Sequence, residues 1–152
     1  MSFHSLAQAV GGQPWLPRLS RVIVPFDRFV IRLTGGRVIG FGAIPALLLV
    51  TTGRRSGLPR EAPLQHIPDG DTFLVIGSNW GGPRHPQWAL NLLANPAATV
   101  VHRGRRFPVR AALLAGAERE RAWQLVLEQW PAYRDYATRA GRPLLLFRLT
   151  PR

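Results

Sequence analysis

The chain has 152 residues and an apolar fraction of 46%, enough for one domain around one buried core. Its 20 basic residues, all of them Arg, outnumber 8 acidic ones for a net charge of +12, which favours anionic partners and says little about fold. The absence of Cys excludes disulfides, thiolate metal sites and a Cys nucleophile, and fits a reducing cytosol.

Met1 to Val10 lack the basic start and apolar run of a signal peptide. Residues 41 to 50 form the longest apolar run, broken by Gly42 and Pro45 and far short of the roughly 20 residues of a membrane span. Residues 1 to 17 read as a loose arm rich in Gly and Pro. From Leu19 to Leu33 apolar residues recur at helical spacing with Arg18, Arg21, Arg28 and Arg32 among them, which predicts a basic amphipathic helix. Such a helix packs on its own domain or lies on an anionic membrane surface.

The centre reads as β structure. Strands are expected at Ala46 to Thr52, Arg60 to Ile67 and Phe73 to Ser78, with Asp69-Gly70 as a hairpin turn. A helix from His85 to Asn95 stops at Asn95-Pro96. Two strands follow, Ala98 to His102 and Arg106 to Leu114, then helices from Gly116 to Trp130 and from Pro131 to about Arg139, and a last strand from Leu144 to Leu149. Hairpin-joined strands with inserted helices predict a mainly antiparallel α+β domain or small barrel, and the first three strands lack the crossover helices of a parallel sheet.

Three segments carry candidate chemistry. Thr51 to Arg60 is a turn between two strands with three Arg, three hydroxyls and two Gly, a donor set suited to phosphate or carboxylate and equally to a solvated basic turn. It lacks the spacing and Lys of a P-loop. In Gly77 to Trp88 a strand runs into a helix through paired glycines. There Ser78 and Asn79 offer hydrogen bonds, the helix start offers N–H groups and the Trp residues offer a wall for a planar ring. His85 has no nucleophile or metal-ligand partner at useful spacing, and His4, His66 and His102 form no ligand pattern, so no metal is expected. Tyr133 and Tyr136, three apart and so on one helical face beside Trp130, read as core or as phenols that orient or protonate a substrate.

At these places the chain resembles the deazaflavin-dependent nitroreductases and quinone reductases, through LLLVTTGRRSGLPREAPL, DGDTFLVIGSNWGGPRHPQW, NLLANPAATV and the downstream AERERAW helix with its Tyr-containing partner. The resemblance implies a split β-barrel like that of FMN-binding oxidoreductases, with flanking helices. It also implies hydride transfer from reduced coenzyme F420 to a hydrophobic quinone, nitroaromatic or activated alkene. It assigns Arg54, Arg55, Ser56, Gly57, Arg60 and Pro63 to the phosphate and acidic tail of the cofactor. Gly77, Ser78, Asn79, His85, Pro86 and Trp88 fall beside the ring, and Tyr133 and Tyr136 on the substrate side, with the proton coming from Tyr133, Ser78 or water. The chain departs from the family where Trp88-Ala89-Leu90-Asn91-Leu92 replaces Trp-Tyr-His-Asn-Leu, where Gln65 replaces an aromatic, and at Trp130.

The domain expectation is an arm and amphipathic helix over 1 to 45 and the split barrel over 46 to 152. Two rival readings are a barrel holding FMN, whose single phosphate needs fewer arginines, and a non-enzymatic basic module on a membrane or nucleic acid. No specific nucleic-acid partner is expected, since no helix-turn-helix, zinc finger or RNA-binding signature is present. The reading places the protein in the cytoplasm, with peripheral contact to the inner membrane face through residues 18 to 33 and a homodimer as open alternatives.

Overall fold

Ala46 to Thr51 are all buried, five of the six apolar, the mark of a strand covered on both faces. The computed structural model describes residues 38, 39 and 44 to 152. The expected amphipathic helix at Leu19 to Leu33, and most of the expected N-terminal unit, lie outside the described residues.

The described elements run in chain order as β1 (Val38–Ile39), β2 (Ile44–Thr52), β3 (Pro59–Gln65), β4 (Ile67–Asp69) and β5 (Thr72–Gly77). A short 3-10 turn (Asn79–Gly81) leads to α1 (Gln87–Ala94), β6 (Ala97–His102), β7 (Arg105–Leu113), α2 (Gly116–Gln129), α3 (Ala132–Ala140) and β8 (Leu145–Pro151). All strand pairings are antiparallel, along the path β3-β2-β6-β7-β8-β5-β4 with β1 also on β2. The two ends of this path are consecutive in the chain. The strand expected from Arg60 to Ile67 is in fact two, because the chain leaves β2 at Gln65, passes His66 and joins β5 from Ile67. One segment thus ties both edges of the curled sheet together, giving the antiparallel split barrel expected from the sequence.

Alternation sorts the side chains into two layers. Leu47, Leu49, Val75, Val100, Val109, Phe147 and Leu149 fill the barrel, and α1 adds Trp88, Ala89 and Leu92 to the same cluster. On the other face of β5 and β8, Leu74, Ile76 and Leu146 pack against Ala122 and Val126 of α2 and Tyr133 and Tyr136 of α3. Each large side chain buried in this way contributes about 1.5–3 kcal/mol. Polar ties fix α2 to the sheet. Asp69 Oδ2 accepts from Arg148 Nη2 at 3.1 Å and from Arg121 Nη2 at 3.3 Å, and Arg148 also pairs with Glu118.

Candidate functional site: a cationic cleft beside a stapled loop

The connection from β2 to β3 is short because Thr52 pairs with Pro59, so residues 53 to 58 must reverse the chain. Gly53 N donates to Leu58 O and Gly57 N to Gly53 O, both at 2.8 Å. Gly57 has φ 71°, a left-handed conformation that favours Gly, and nothing stands near the place of its missing Cβ. Inside the turn, Ser56 Oγ accepts from Leu58 N at 3.2 Å and from Arg60 Nη2 at 3.3 Å.

This turn forms one wall of a cleft of about 430 Å³, and α1 forms the other. Gly53, Arg54, Arg55, Ser56 and Arg60 face Gln87, Trp88 and Asn91, with Glu61 and Ala62 of β3 between them. Gln87 and Asn91 are four apart, so one helical face presents both. Buried Asn91 joins the walls: its Nδ2 donates to Thr51 Oγ1 at 3.1 Å, and its Oδ1 accepts from Arg54 N at 3.2 Å and Arg54 Nη1 at 3.1 Å. Arg54 Nη1 also donates to Gln87 Oε1 at 2.8 Å. Arg54 is therefore partly spent on the architecture. Arg55 is exposed and has no polar partner among the described residues, and Arg60 has only Ser56.

Five of the expected residues thus meet in one cleft: Arg54, Arg55, Ser56, Arg60 and Trp88. Pro63 does not line it. Along β3, Glu61, Pro63 and Gln65 share one face, since successive side chains alternate, and Ala62 and Leu64, which pack on the barrel core, share the other. That face runs from the cleft at Glu61 to Gln65, about 13 Å along the strand. Gln65 Oε1 there accepts from Tyr133 OH at 3.2 Å.

The glycine-rich segment from Gly77 to Pro86 forms a separate loop beside the cleft. Gly77 ends β5 and lies near Ala89 of α1. Ser78 is half-buried, and its hydroxyl makes no hydrogen bond among the described residues. Asn79 adopts φ 46°, with Nδ2 donating to Arg84 O at 3.1 Å. Pro86 starts α1 in extended conformation, and its carbonyl accepts from Ala89 N at 3.1 Å. His85 Nδ1 lies 3.0 Å from Arg142 Nη1.

Tyr133 and Tyr136 are buried in the helical cluster, their rings edge to face with centroids 5.4 Å apart. They are not brought into the cleft. Burial, and secondarily Tyr136, pushes the Tyr133 phenol above its ordinary value, and burial does the same to Tyr136 against the opposing influence of the neighbouring Trp130 and Arg139. Both stay protonated at neutral pH. Tyr136 also backs the Ser78 loop, since a Cβ on Gly81 would stand 3.2 Å from the Tyr136 Cα and carbonyl oxygen.

Gln87, Asn91, Glu61 and Arg142 were not singled out as site residues from the sequence. The spacing of Gln87 and Asn91 on one side of the Trp88 helix was an available signal for two of them. Nothing local points to Arg142. Among the described residues no group of three or more His, Asp or Glu is placed to hold a metal ion.

Residues 24–151 match the model of the F420H(2)-dependent quinone reductase family. An F420H(2)-dependent quinone reductase of Mycobacterium tuberculosis is 39% identical over 145 residues, covering 91% of this chain and 97% of the relative. Among solved structures, an F420-H2 dependent reductase (FDR-A) is 35% identical with a TM-score of 0.64, covering 69% of this chain and 93% of that one. A chain solved as a domain-swapped dimer is 30% identical with a TM-score of 0.65, covering 82% and 95% respectively. The chain belongs to the F420H(2)-dependent quinone reductase family.

Proposed function

We propose that the cleft between the 53 to 58 turn and α1 holds the phosphate and acidic tail of reduced F420, and that the enzyme passes a hydride from that cofactor to a quinone. The observation that carries the placement is the convergence of Arg55 and Arg60, neither of them paired with a carboxylate among the described residues, on a cleft walled by Trp88. The donor set fits the group. Guanidinium forks bind phosphate and carboxylate with paired hydrogen bonds, and the chain supplies more of them than one phosphate needs, which favours F420 over FMN.

When bound, the reduced deazaflavin would supply the hydride, that is, a hydrogen nucleus carrying an electron pair. The chain's own work is placement. Arg55 and Arg60 hold the anionic end, Arg54 is kept rigid by Asn91 and Gln87, and the β3 face from Glu61 to Gln65 leads toward the loop of Gly77 to Pro86. Trp88 supplies an apolar wall. A quinone that accepts a hydride on one oxygen or carbon needs one further proton. Water delivers it, directly or relayed by the Ser78 hydroxyl, because Tyr133 is buried away from the cleft with its hydroxyl donating to Gln65. Nitroaromatics and activated alkenes share the electrophilic character of quinones and are proposed as further acceptors.

No helix among the described residues is long and apolar enough to cross a membrane. Cytoplasmic residence, with the Leu19 to Leu33 segment resting on the inner membrane face, is proposed from its basic amphipathic pattern and from the hydrophobic nature of the acceptor. Self-association is proposed from the domain-swapped neighbour alone, and size-exclusion chromatography tests it.

Titration of F420 into the wild-type protein and Arg55→Glu, followed by cofactor fluorescence, tests the placement. The variant is expected to bind about tenfold more weakly at low salt, with the gap closing as salt screens the charge. Equal affinity at low salt removes Arg55 from the site. Stopped-flow oxidation of the reduced cofactor by menadione then tests the activity.

A further inference from the structure

Arg142 follows α3 and lies 57 to 65 residues away in sequence from everything its guanidinium touches. Nε donates to Gly82 O at 3.3 Å, Nη1 to Gly77 O at 3.2 Å, and Nη2 to Ser78 O at 3.2 Å and Arg84 O at 2.8 Å. Four carbonyls of one loop thus converge on a single side chain, and the fifth contact is Arg142 Nη1 to His85 Nδ1 at 3.0 Å. The geometry fixes the direction of that contact. A guanidinium has only N–H donors and does not lose its proton in proteins, so a nitrogen 3.0 Å from Nη1 must offer a lone pair.

We infer that Arg142 is a positioning residue that staples the Gly77 to His85 loop and holds His85 in one neutral tautomer, with Nδ1 as acceptor and the single ring proton on Nε2. The imidazole is thereby presented as a neutral N–H donor beside the cleft. A free His exchanges between two tautomers and a cation, and only one of these three forms fits beside Arg142. Partial burial and the Arg142 charge both hold the His85 pKa below its ordinary value, in keeping with this arrangement. No carboxylate is hydrogen-bonded to the ring among the described residues. The use of the Nε2–H donor toward an oxygen of the cofactor rests on the proposed function, whereas the tautomer itself does not.

The test is long-range proton–nitrogen correlation NMR on the full chain labelled with nitrogen-15 in His, without cofactor, using His85→Gln to assign the resonance. The wild-type spectrum is expected to show His85 Nδ1 unprotonated and Nε2 protonated at pH 7. In Arg142→Met the tautomers are expected to average and the His85 titration to move up toward the ordinary imidazole value of 6.5. Arg142→Lys keeps the charge but not the fork and is expected to hold the titration low while the tautomers still average. Unchanged signals from His66 and His102 show that the barrel is intact in each variant. A wild-type Nδ1–H tautomer overturns the inference, and so does a wild-type pattern retained in Arg142→Met. If Arg142→Met does not fold, the wild-type tautomer still decides.

A cofactor arm separates this inference from the functional reading. Arg142→Met is expected to weaken F420 binding about tenfold, the size of one lost hydrogen bond with its orientation, and His85→Ala to add little in that background. Additive losses overturn the coupling of Arg142 to His85. Failure of F420 to bind the wild type removes the cofactor role and leaves the tautomer standing.

Discussion

Tyr133 shows how far a side chain's surroundings govern its chemistry. A phenol near its ordinary pKa is a candidate acid, but here burial raises the value and the hydroxyl already donates to Gln65 Oε1 at 3.2 Å. Its reach toward an acceptor therefore passes through Gln65, on the β3 face that begins at the cationic cleft. Tyr133→Phe is expected to lower turnover severalfold with F420 affinity within about twofold, and to cost on the order of 1 kcal/mol of stability from the amide left without its donor. Steady-state rates with menadione, F420 titration and denaturant midpoints check the three parts, and unchanged turnover in a well-folded variant excludes Tyr133 from the reaction. The residue types of the 53 to 60 wall of the cleft were legible from composition and spacing. The employment of Arg54 by Asn91 and Gln87 was not, because those bonds span 33 to 37 residues and leave no local pattern. The fivefold grip of Arg142 is hidden for the same reason.

At the scale of elements, strands and helices followed the sequence where periodicity was strong. The helix expected from Gly116 to Trp130 is α2 within one residue, and the Asp69-Gly70 hairpin joins β4 to β5 as expected. The break at His66 escaped the sequence because a strand that changes partners keeps its extended, alternating pattern, and period-two reading is blind to the identity of the neighbour. The loop between β5 and α1 is the other element whose meaning came only with its contacts. Gly81 there has φ 78°, and an added Cβ would stand 3.2 Å from Tyr136 backbone atoms and from Arg139 Cβ. Gly81→Ala is expected to cost about 1–3 kcal/mol from backbone strain, before any displacement of α3. Because the proposed anion contacts sit on the separate 53 to 58 turn, F420 affinity is expected to fall no further than the roughly tenfold loss of Arg142→Met, while menadione reduction falls by more than that. A loss of affinity as large as the loss of turnover contradicts the division of labour between turn and loop.

For the molecule as a whole, the closure of the barrel places an ionisable group at its seam. His66 stands where β3 gives way to β4, edge on to Phe73 and to His102 with ring centroids 5.4 Å and 4.8 Å away. Its Nδ1 is buried without a hydrogen-bond partner. Burial first, then the charges of His102 and Arg103, lower its pKa from 6.5 to about 4. Above pH 6.5 the ring is neutral in both folded and unfolded chains and contributes no pH dependence. Between 6.5 and about 4 the unfolded chain gains a proton that the folded one refuses, so stability falls with pH, by about 2–3 kcal/mol at pH 4.5. His66→Phe keeps an aromatic edge against Phe73 and removes the titration. Urea melts of both proteins at pH 7.5 and 4.5 are expected to show the smaller acid loss in the variant, with the difference between the two losses near that figure. Carboxylates elsewhere titrate equally in both and cancel from the comparison. Parallel losses in the two proteins would mean that the seam opens or hydrates early enough for His66 to protonate in the folded state, and the barrel would then be closed less tightly at β3 and β4 than its packing implies.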